Sequence, residues 1–202
     1  MSYELLTALV AFAFVSSITP GPNNLMLLAS GANFGWRRSL PHMIGIGLGF
    51  GFMVFLVGIG LAQMFEVFPL AYTLLKIASV AFLLYLAYKI ATSAAPEAGG
   101  NTTSGRPINF FQAALFQWVN PKAWAMALTA NSAYTPEDFG MAGALIVAAV
   151  FTAVNFPSVN VWALMGTQIP RLLNVRWKLR AFNICAALLL LGSLYPILFP
   201  NV

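Results

Sequence analysis

The sequence predicts an all-α integral membrane protein with six transmembrane helices, arranged as two inverted three-helix repeats with broken helices 1 and 4. Composition is the first observation: of the 202 residues, 60% are hydrophobic and only 7% are charged, against roughly 25% in an average soluble domain. The second is a series of long apolar segments, and the third is that proline interrupts two of them. The composition excludes a soluble enzyme, a disordered tail and a nucleic-acid-binding module, because lipid is the solvent that suits such a chain.

The apolar segments lie at about residues 4–34, 41–65, 69–91, 108–131, 139–168 and 180–199. A helix needs roughly 20 residues to cross the hydrocarbon of a bilayer. The first segment would measure roughly 46 Å as one straight helix, and Pro20-Gly21-Pro22 interrupts it. Asn120-Pro121 interrupts the fourth segment similarly. The first segment lacks the basic region of a cleavable signal peptide, so we expect it to be the first span.

The longest polar stretch, residues 92–106, has the composition of a flexible linker and divides the chain into halves 1–91 and 107–202. Each half contains a broken helix, a long helix and a third helix. Because three is an odd number, the second three-span unit must enter the membrane in the opposite orientation. Secondary transporters are built in this way, with discontinuous helices in matching positions.

The basic residues predict the orientation. Residues 35–40, 92–106 and 169–180, which follow spans one, three and five, are expected in the cytoplasm by the positive-inside rule. Both termini then lie outside the cell. The net charge of +5 therefore indicates membrane orientation rather than nucleic-acid binding. The basic residues on this side are Arg37, Arg38, Lys89, Arg106, Arg171, Arg176, Lys178 and Arg180.

The first break, residues 19–24, falls near the middle of the membrane, with about 20 Å of helix on each side. Two prolines remove backbone donors and obstruct the helix, and Gly21 relaxes the backbone between them. The freed carbonyls must face protein or a water-filled cavity. Asn23 and Asn24 can satisfy these carbonyls or reach a ligand, and Pro22 is suited to begin the second half-helix. A binding site is favoured over a packed kink.

The second break contains Lys122, the ionisable residue that we place deepest in the membrane. A charge there is costly unless it is compensated, so Lys122 is a functional candidate. It could bind a carboxylate, pair with freed carbonyls, release a proton on desolvation or snorkel towards the interface. Asn155 and Asn160, beside Pro157, are candidates for cavity lining or for interhelical hydrogen bonds.

The geometry of an inverted repeat suggests a zwitterionic ligand. Half-helices that begin at Asn23 and Lys122 point positive dipole ends inward and favour an anionic group. Half-helices that end near Thr19 and Asn120 present free carbonyls, which suit an ammonium group. A small amino acid satisfies both, although other small polar solutes are not excluded.

Four runs of sequence, SITPGPNNLMLL, IGIGLGFGF, LLKIASVAFLLYLAYKI and QWVNPKAW, resemble the LysE/RhtB family of bacterial amino-acid exporters over nearly the whole chain. The resemblance implies an exporter of an amino acid or a close derivative in the bacterial inner membrane, driven by the proton gradient, and it allows for a homodimer. The family's motif positions correspond to Pro20, Gly21, Pro22, Asn23, Asn120, Pro121 and Lys122.

The substrate is expected to be neutral. Members that resemble lysine and arginine exporters tend to carry an acidic residue shortly after the second break, whereas residues 124–129 contain none. A dication would be unfavourable beside Lys122 without a carboxylate. We therefore expect homoserine, threonine, leucine or a related amino acid, with Lys122 as the hypothetical proton carrier. His42, the single histidine, lies at the start of span two, where an interfacial position is one of two interpretations.

Other functions fit less well. A membrane-embedded enzyme would need a nucleophile with a base, or a metal cluster, and one histidine and one cysteine supply neither. No cofactor or metal is expected. An exporter of a basic amino acid, of another small solute or of a cation stays open as the alternative. Gly45 with Gly49 is interpreted as a helix-packing pair, and Phe50 as a packing or lipid-facing residue.

Overall fold

The computed structural model of the protein describes residues 1–63, 68–92, 106–135, 139–172 and 176–192. These residues form seven α-helices and a short 3₁₀ turn, Leu61–Gln63, and no strand occurs within these ranges. The all-α prediction is confirmed for this part of the chain. The helices are α1 (Tyr3–Ile18), α2 (Pro22–Gly58), α3 (Pro69–Ala91), α4 (Phe110–Val119), α5 (Pro121–Tyr134), α6 (Gly140–Leu172) and α7 (Arg176–Gly192).

Both predicted helix breaks are present. Helix α1 ends at Ile18 and α2 begins at Pro22, while α4 ends at Val119 and α5 begins at Pro121. In each case a proline opens the new helix. Proline is well suited to this position, since the amide hydrogen that it lacks would have no partner within the helix.

Helix α2 consists of two pieces that meet at Gly35, a half-helix (residues 22–34) and a long helix (residues 36–58). Gly35 has φ 78° and ψ 168°, a conformation that glycine adopts without steric cost. The hydroxyls of Ser30 and Ser39 lie 2.7 Å apart, whereas nine residues of straight helix would span about 13 Å. The chain therefore turns sharply at Gly35.

The loops predicted at residues 35–40 and 169–180 are largely helical, so these boundaries are wrong. In the first, Gly35 alone is non-helical, and the Ser39 hydroxyl donates to the Gly35 carbonyl at 2.9 Å. In the second, α6 continues to Leu172 and α7 begins at Arg176. Arginine and lysine are good helix formers, so basic residues can end an apolar run without ending the helix.

Other predicted boundaries are only partly covered. The predicted span 69–91 coincides with α3, whereas the span predicted to reach residue 65 ends as an α-helix at Gly58. Residues 93–105 of the predicted linker and residues 193–199 of the last predicted span lie outside the described residues.

Several helices have the dimensions and surface of membrane helices. Three in the described part of the chain are long and apolar enough to cross a bilayer: Pro22–Gly58, Thr73–Ala91 and Gly140–Pro170. Tyr3–Ile18 and Phe110–Val119 are shorter apolar helices. Large apolar side chains stay exposed on α3 and α7, for example Ile77 and Leu188, each 60% exposed. An exposed apolar surface of this extent suits lipid rather than water.

The long helix of α2 and helix α6 form the central pair of the fold, with α1 against α6 and α4 against α2. Small residues allow the close approach of α4. A Cβ atom at Gly49 would lie 2.5 Å from the Cα of Ala114, and one at Gly45 would meet the carbonyl of Phe110. The predicted packing role of Gly45 and Gly49 is confirmed. This packing brings the ends of α1 and α4, and so the two breaks, to the same part of the molecule.

Candidate functional site

The two helix breaks face one cavity of about 310 Å³, part of which is open to the surroundings. Side chains or backbone from both breaks and from α6 line it. The sequence-predicted site residues among them are Gly21, Asn23, Asn24, Asn120, Lys122 and Asn155. The remaining break residues, Pro20, Pro22 and Pro121, flank these positions in the chain.

Lys122 reaches from the second break to the first. Its Nζ donates to the Thr19 carbonyl at 2.7 Å, to the Thr19 hydroxyl at 2.9 Å and to the Pro20 carbonyl at 3.4 Å. All three acceptors are neutral oxygens. Carbonyls beyond the end of α1 have no amide donor from a following helical turn. The half-buried ammonium group of Lys122 takes the place of those missing donors.

Two further side chains satisfy the end of α1. The Asn24 amide donates to the carbonyls of Ser17 at 2.8 Å and Thr19 at 2.7 Å. The Trp162 indole N–H donates to the Ile18 carbonyl at 3.0 Å. An unsatisfied carbonyl in a membrane interior costs several kcal/mol. The carbonyls expected to be free for a substrate ammonium group are therefore engaged by the chain's own donors.

The second break is satisfied within its own segment. The Asn120 backbone N–H donates to the Gln117 carbonyl at 3.2 Å, and the Trp124 indole N–H donates to the Trp118 carbonyl at 2.8 Å. The Asn120 side chain accepts from the Lys122 backbone N–H at 3.1 Å and so caps α5. The Lys122 side chain is thus left to reach the other break.

A pair of amide side chains joins the two breaks. Asn23 donates to Gln117 at 2.8 Å, and Gln117 donates back to Asn23 at 3.2 Å. Gln117 is fully buried and also donates to the Ala113 carbonyl. Gln117 was not among the site residues predicted from the sequence. The signal that could have found it is a glutamine within an apolar helix, one turn before the break.

The two asparagines near Pro157 have different positions. Asn155 lines the cavity; its amide donates to the Ser17 hydroxyl at 3.3 Å, and its buried Oδ1 has no hydrogen-bond partner among the described residues. Asn160 accepts from the Trp36 indole N–H at 3.0 Å, outside the set of residues that line the cavity. Five residues of helix rotate Asn160 by about 140° from Asn155, which places it on another face.

Gly21 is required by the path of the Lys122 side chain. A Cβ atom at Gly21 would lie 2.7 Å from Cδ and 3.2 Å from Nζ of Lys122. The backbone of Gly21 is extended, with φ −178°, so the close approach rather than the backbone conformation explains the glycine.

Phe50 and His42 are both buried; packing was one of the two positions expected for Phe50, whereas its place in the wall of the cavity was not predicted. Phe50 lines the cavity and packs edge-on against Phe151, with ring centroids 5.5 Å apart. His42 is fully buried rather than interfacial, and neither ring nitrogen has a hydrogen-bond partner in the described part of the chain. Within the same ranges, no three His, Cys, Asp or Glu side chains are placed to hold a metal ion.

The chain matches the model of a known protein family. A family model described as LysE type translocator matches residues 14–193. The chain belongs to the LysE family. The resemblance carried by the motifs at the two breaks is confirmed, and the cavity between them lies in a protein of a translocator family.

Similar proteins include the cysteine/O-acetylserine efflux protein of Escherichia coli O1:K1, which is 34% identical over 191 residues. That alignment covers 94% of this chain and 95% of the relative. The proteins of the same name from Escherichia coli K12 and Shigella sonnei are each 33% identical over 191 residues, with the same coverage. No solved structure gave a significant match.

Proposed function

We propose that this LysE-family protein exports a small neutral amino acid, which binds as a zwitterion between the two helix breaks near mid-membrane. The observation that carries the proposal is that one cavity is lined by Lys122, with its ammonium group, and by Asn155, whose buried Oδ1 has no hydrogen-bond partner among the described residues. These groups are complementary to a carboxylate and an ammonium group. The names of the relatives, which are efflux proteins for cysteine and O-acetylserine, support amino-acid efflux.

Carboxylate binding at Lys122 would also supply a conformational signal. The Lys122 side chain is held by neutral oxygens of Thr19 and Pro20, and a carboxylate, which is itself charged, is a stronger acceptor. Binding then draws Lys122 away from the first break. The Thr19 carbonyl keeps the Asn24 amide as a donor, whereas the Pro20 carbonyl loses the Lys122 donor. The break must rearrange to satisfy the Pro20 carbonyl, which couples substrate binding to a change of state.

The rest of the cavity suits a small, uncharged side chain. Asn155 and the Ser17 hydroxyl provide polar groups, while Phe50 and Met126 provide apolar surface. None of the described lining residues is acidic, so the second positive charge of lysine or arginine would lack compensation. Cysteine and O-acetylserine are neutral amino acids, as are homoserine, threonine and leucine, and all five fall within the proposed class.

We propose proton antiport as the energy source and Lys122 as the proton carrier. A protonated amine has three hydrogens to donate and a neutral amine has two. Loss of the proton would therefore weaken the three-acceptor contact of Lys122 with Thr19 and Pro20. Antiport requires that the two alternate: the substrate-bound state crosses the membrane with Lys122 neutral, its amine still donating to the carboxylate, and the substrate-free state returns with Lys122 protonated.

We also propose that the two halves of the chain are inverted repeats. The order of elements supports this: a break, a half-helix, a glycine with positive φ, a long helix and a third helix. The glycines are Gly35, with φ 78°, and Gly140, with φ 45°. An inner-membrane location with both termini outside follows from the basic residues, and a homodimer stays a prediction.

The test uses purified protein in liposomes loaded in turn with labelled cysteine, O-acetylserine, homoserine, threonine, leucine, lysine or arginine. Efflux is followed with and without an imposed pH gradient. We expect saturable efflux and counterflow of at least one neutral amino acid, stimulated by the gradient. Efflux of lysine or arginine alone would contradict the neutral site, and efflux indifferent to the gradient would contradict proton antiport. Absence of efflux for every amino acid would overturn the proposed substrate class.

A further inference from the structure

A second cavity lies beyond the break cavity, between the half-helix of α2, the end of α3 and the segment before α4. It encloses about 300 Å³, part of which is open to the surroundings. The proposed transport site does not use it. Its polar and charged lining residues are Ser30, Asn33, Lys89 and Arg106, and Met26 and Phe34 contribute apolar surface.

The described charged residues that line this cavity are both basic. Lys89 comes from α3 and Arg106 from the segment before α4, and none of the described lining residues is acidic. Two cations on separate elements that face one space produce a positive potential, which is strongest where low-dielectric walls surround it. A cavity lined by a guanidinium group and an ammonium group suits a small oxyanion, such as a carboxylate or a phosphate.

The neutral polar wall of the cavity is held in place by other helices. Asn33, only 3% exposed, forms a reciprocal amide pair with Asn183 of α7, at 3.0 and 3.2 Å. Ser30, 5% exposed, shares a hydrogen bond with Ser39 at 2.7 Å. Side chains fixed in this way lose little freedom when a ligand binds. These contacts therefore preorganise the neutral wall of the cavity.

The position of the cavity connects it with the break cavity. Asn23 and Asn33 lie on the same half-helix, ten residues and so about 15 Å apart; the first lines the break cavity and the second lines the basic cavity. Lys89 and Arg106 belong to the basic residues that predict the cytoplasmic side. An exported solute would meet the basic cavity before it reached the break.

We infer that the basic cavity is a recruitment site that binds the carboxylate of the amino acid before transport, an inference that rests on the proposed function. A lipid phosphate has the same oxyanion chemistry. The substrate is the better fit, because Ser30 and Asn33 are buried within the helix packing and share their half-helix with the transport cavity. Recruitment raises the local concentration of substrate, so it affects the apparent KM more than the maximal rate.

The test compares efflux kinetics in liposomes for the wild type, for the double variant Lys89→Gln/Arg106→Gln and for the control Arg37→Gln. Arg37 is exposed on the same basic side and lies outside the lining of the cavity. We expect the double variant to raise KM for the amino acid about tenfold, as loss of charged hydrogen bonds would do, with a maximal rate within about twofold of wild type. The control should leave both within about twofold.

Two further measurements keep the result interpretable. The first is the KM for the amino-acid amide divided by the KM for the amino acid. This ratio does not depend on how much protein is folded. It should fall about tenfold in the double variant, because only the KM for the amino acid rises. The same series in vesicles of phosphatidylcholine alone, and with phosphatidylglycerol added, separates substrate from lipid. An effect confined to vesicles with phosphatidylglycerol would assign the cavity to lipid phosphate and overturn the inference. Kinetics equal to those of the control would overturn it as well, while leaving the transport site intact. A wild type without amino-acid efflux would overturn both.

Discussion

The first and second helix breaks look alike in the sequence but satisfy their backbone groups differently. The first break has one donor of its own, Asn24, and depends on two more from elsewhere: Lys122 and Trp162 are more than a hundred residues away in the chain. The second uses Asn120 and Trp124, which belong to the break itself or to the helix that follows it. Because the second break satisfies its own backbone groups, the Lys122 side chain can donate hydrogen bonds to the first break. The comparison indicates that the first break provides acceptors and the second provides the cation.

The largest effect should come from removing that cation. We expect Lys122→Met to lower efflux about 100-fold, because two or more charge-assisted hydrogen bonds are lost and the Pro20 carbonyl loses its Lys122 donor. Initial efflux rates in liposomes measure it. Lys76→Met, a lysine of α3 outside the lining of the cavity, should stay within about twofold of wild type. Full proton-coupled efflux by Lys122→Met would refute the role of Lys122 both in binding and as proton carrier.

The next prediction concerns Asn155 as the acceptor for the substrate ammonium group, because the carbonyls of the first break already have donors from the chain. Since its Oδ1 lacks a hydrogen-bond partner among the described residues, we expect Asn155→Ala to raise the substrate KM about tenfold. Asn160→Ala is the matched control on the same helix, with its side chain bonded to Trp36, and should change KM less than about twofold. Equal effects of the two substitutions would contradict the assignment of the ammonium site.

The next prediction concerns Gly21, beside which the Lys122 side chain passes from the second break to the first. The methyl group in Gly21→Ala would meet Cδ of Lys122 at 2.7 Å and should displace the ammonium group from Thr19. Loss of one charged hydrogen bond predicts a decrease in efflux of about fivefold to tenfold. Gly192→Ala, where an added Cβ would meet no atom of the described residues within 4 Å, serves as the control. Efflux rates equal in the two variants would show that the contact between the breaks is dispensable.

The smallest effect concerns stability rather than transport. Asn23→Ala and Gln117→Ala should each destabilise the protein, and the double variant should cost less than the sum, because each single variant leaves one amide unpaired. We expect a coupling energy of about 0.6–1.7 kcal/mol, measured by unfolding in detergent. The pair Asn23 and Asn131, in which Asn131 bonds the Val54 carbonyl, should show coupling near zero. A coupling near zero for Asn23 and Gln117 would show that the amide pair does not link the breaks energetically.

The breaks were predictable because proline acts on its immediate surroundings. Pro22 and Pro121 lack an amide hydrogen and cannot lie within a helix without cost, so the positions of both breaks follow from the residues alone. The bend at Gly35 was partly predictable, since a glycine followed by basic residues was interpreted as a loop. The predicted length of that loop was wrong, because those residues are good helix formers.

The partners of the polar side chains were less predictable. Asn155 and Asn160 are the same residue type on one helix, and the rotation of α6 against its neighbours decides that one lines the cavity and the other bonds Trp36. Phe50 is one of 17 phenylalanines, and its own sequence context does not distinguish a packing position from the wall of a cavity. The burial of His42 likewise depends on helices that pack over it.

The sequence by itself determined the lipid environment, the two breaks and the lack of an acidic residue near Lys122, because composition and proline chemistry act without reference to the fold. The tertiary structure decided that Lys122 donates to the carbonyls of Thr19 and Pro20 and that Asn23 pairs with Gln117. It also decided that the Oδ1 of Asn155 is buried without a partner in the described part of the chain. The physical reason is that a backbone break creates unsatisfied groups locally. Which donor satisfies them depends on the approach of helices about a hundred residues apart in the chain.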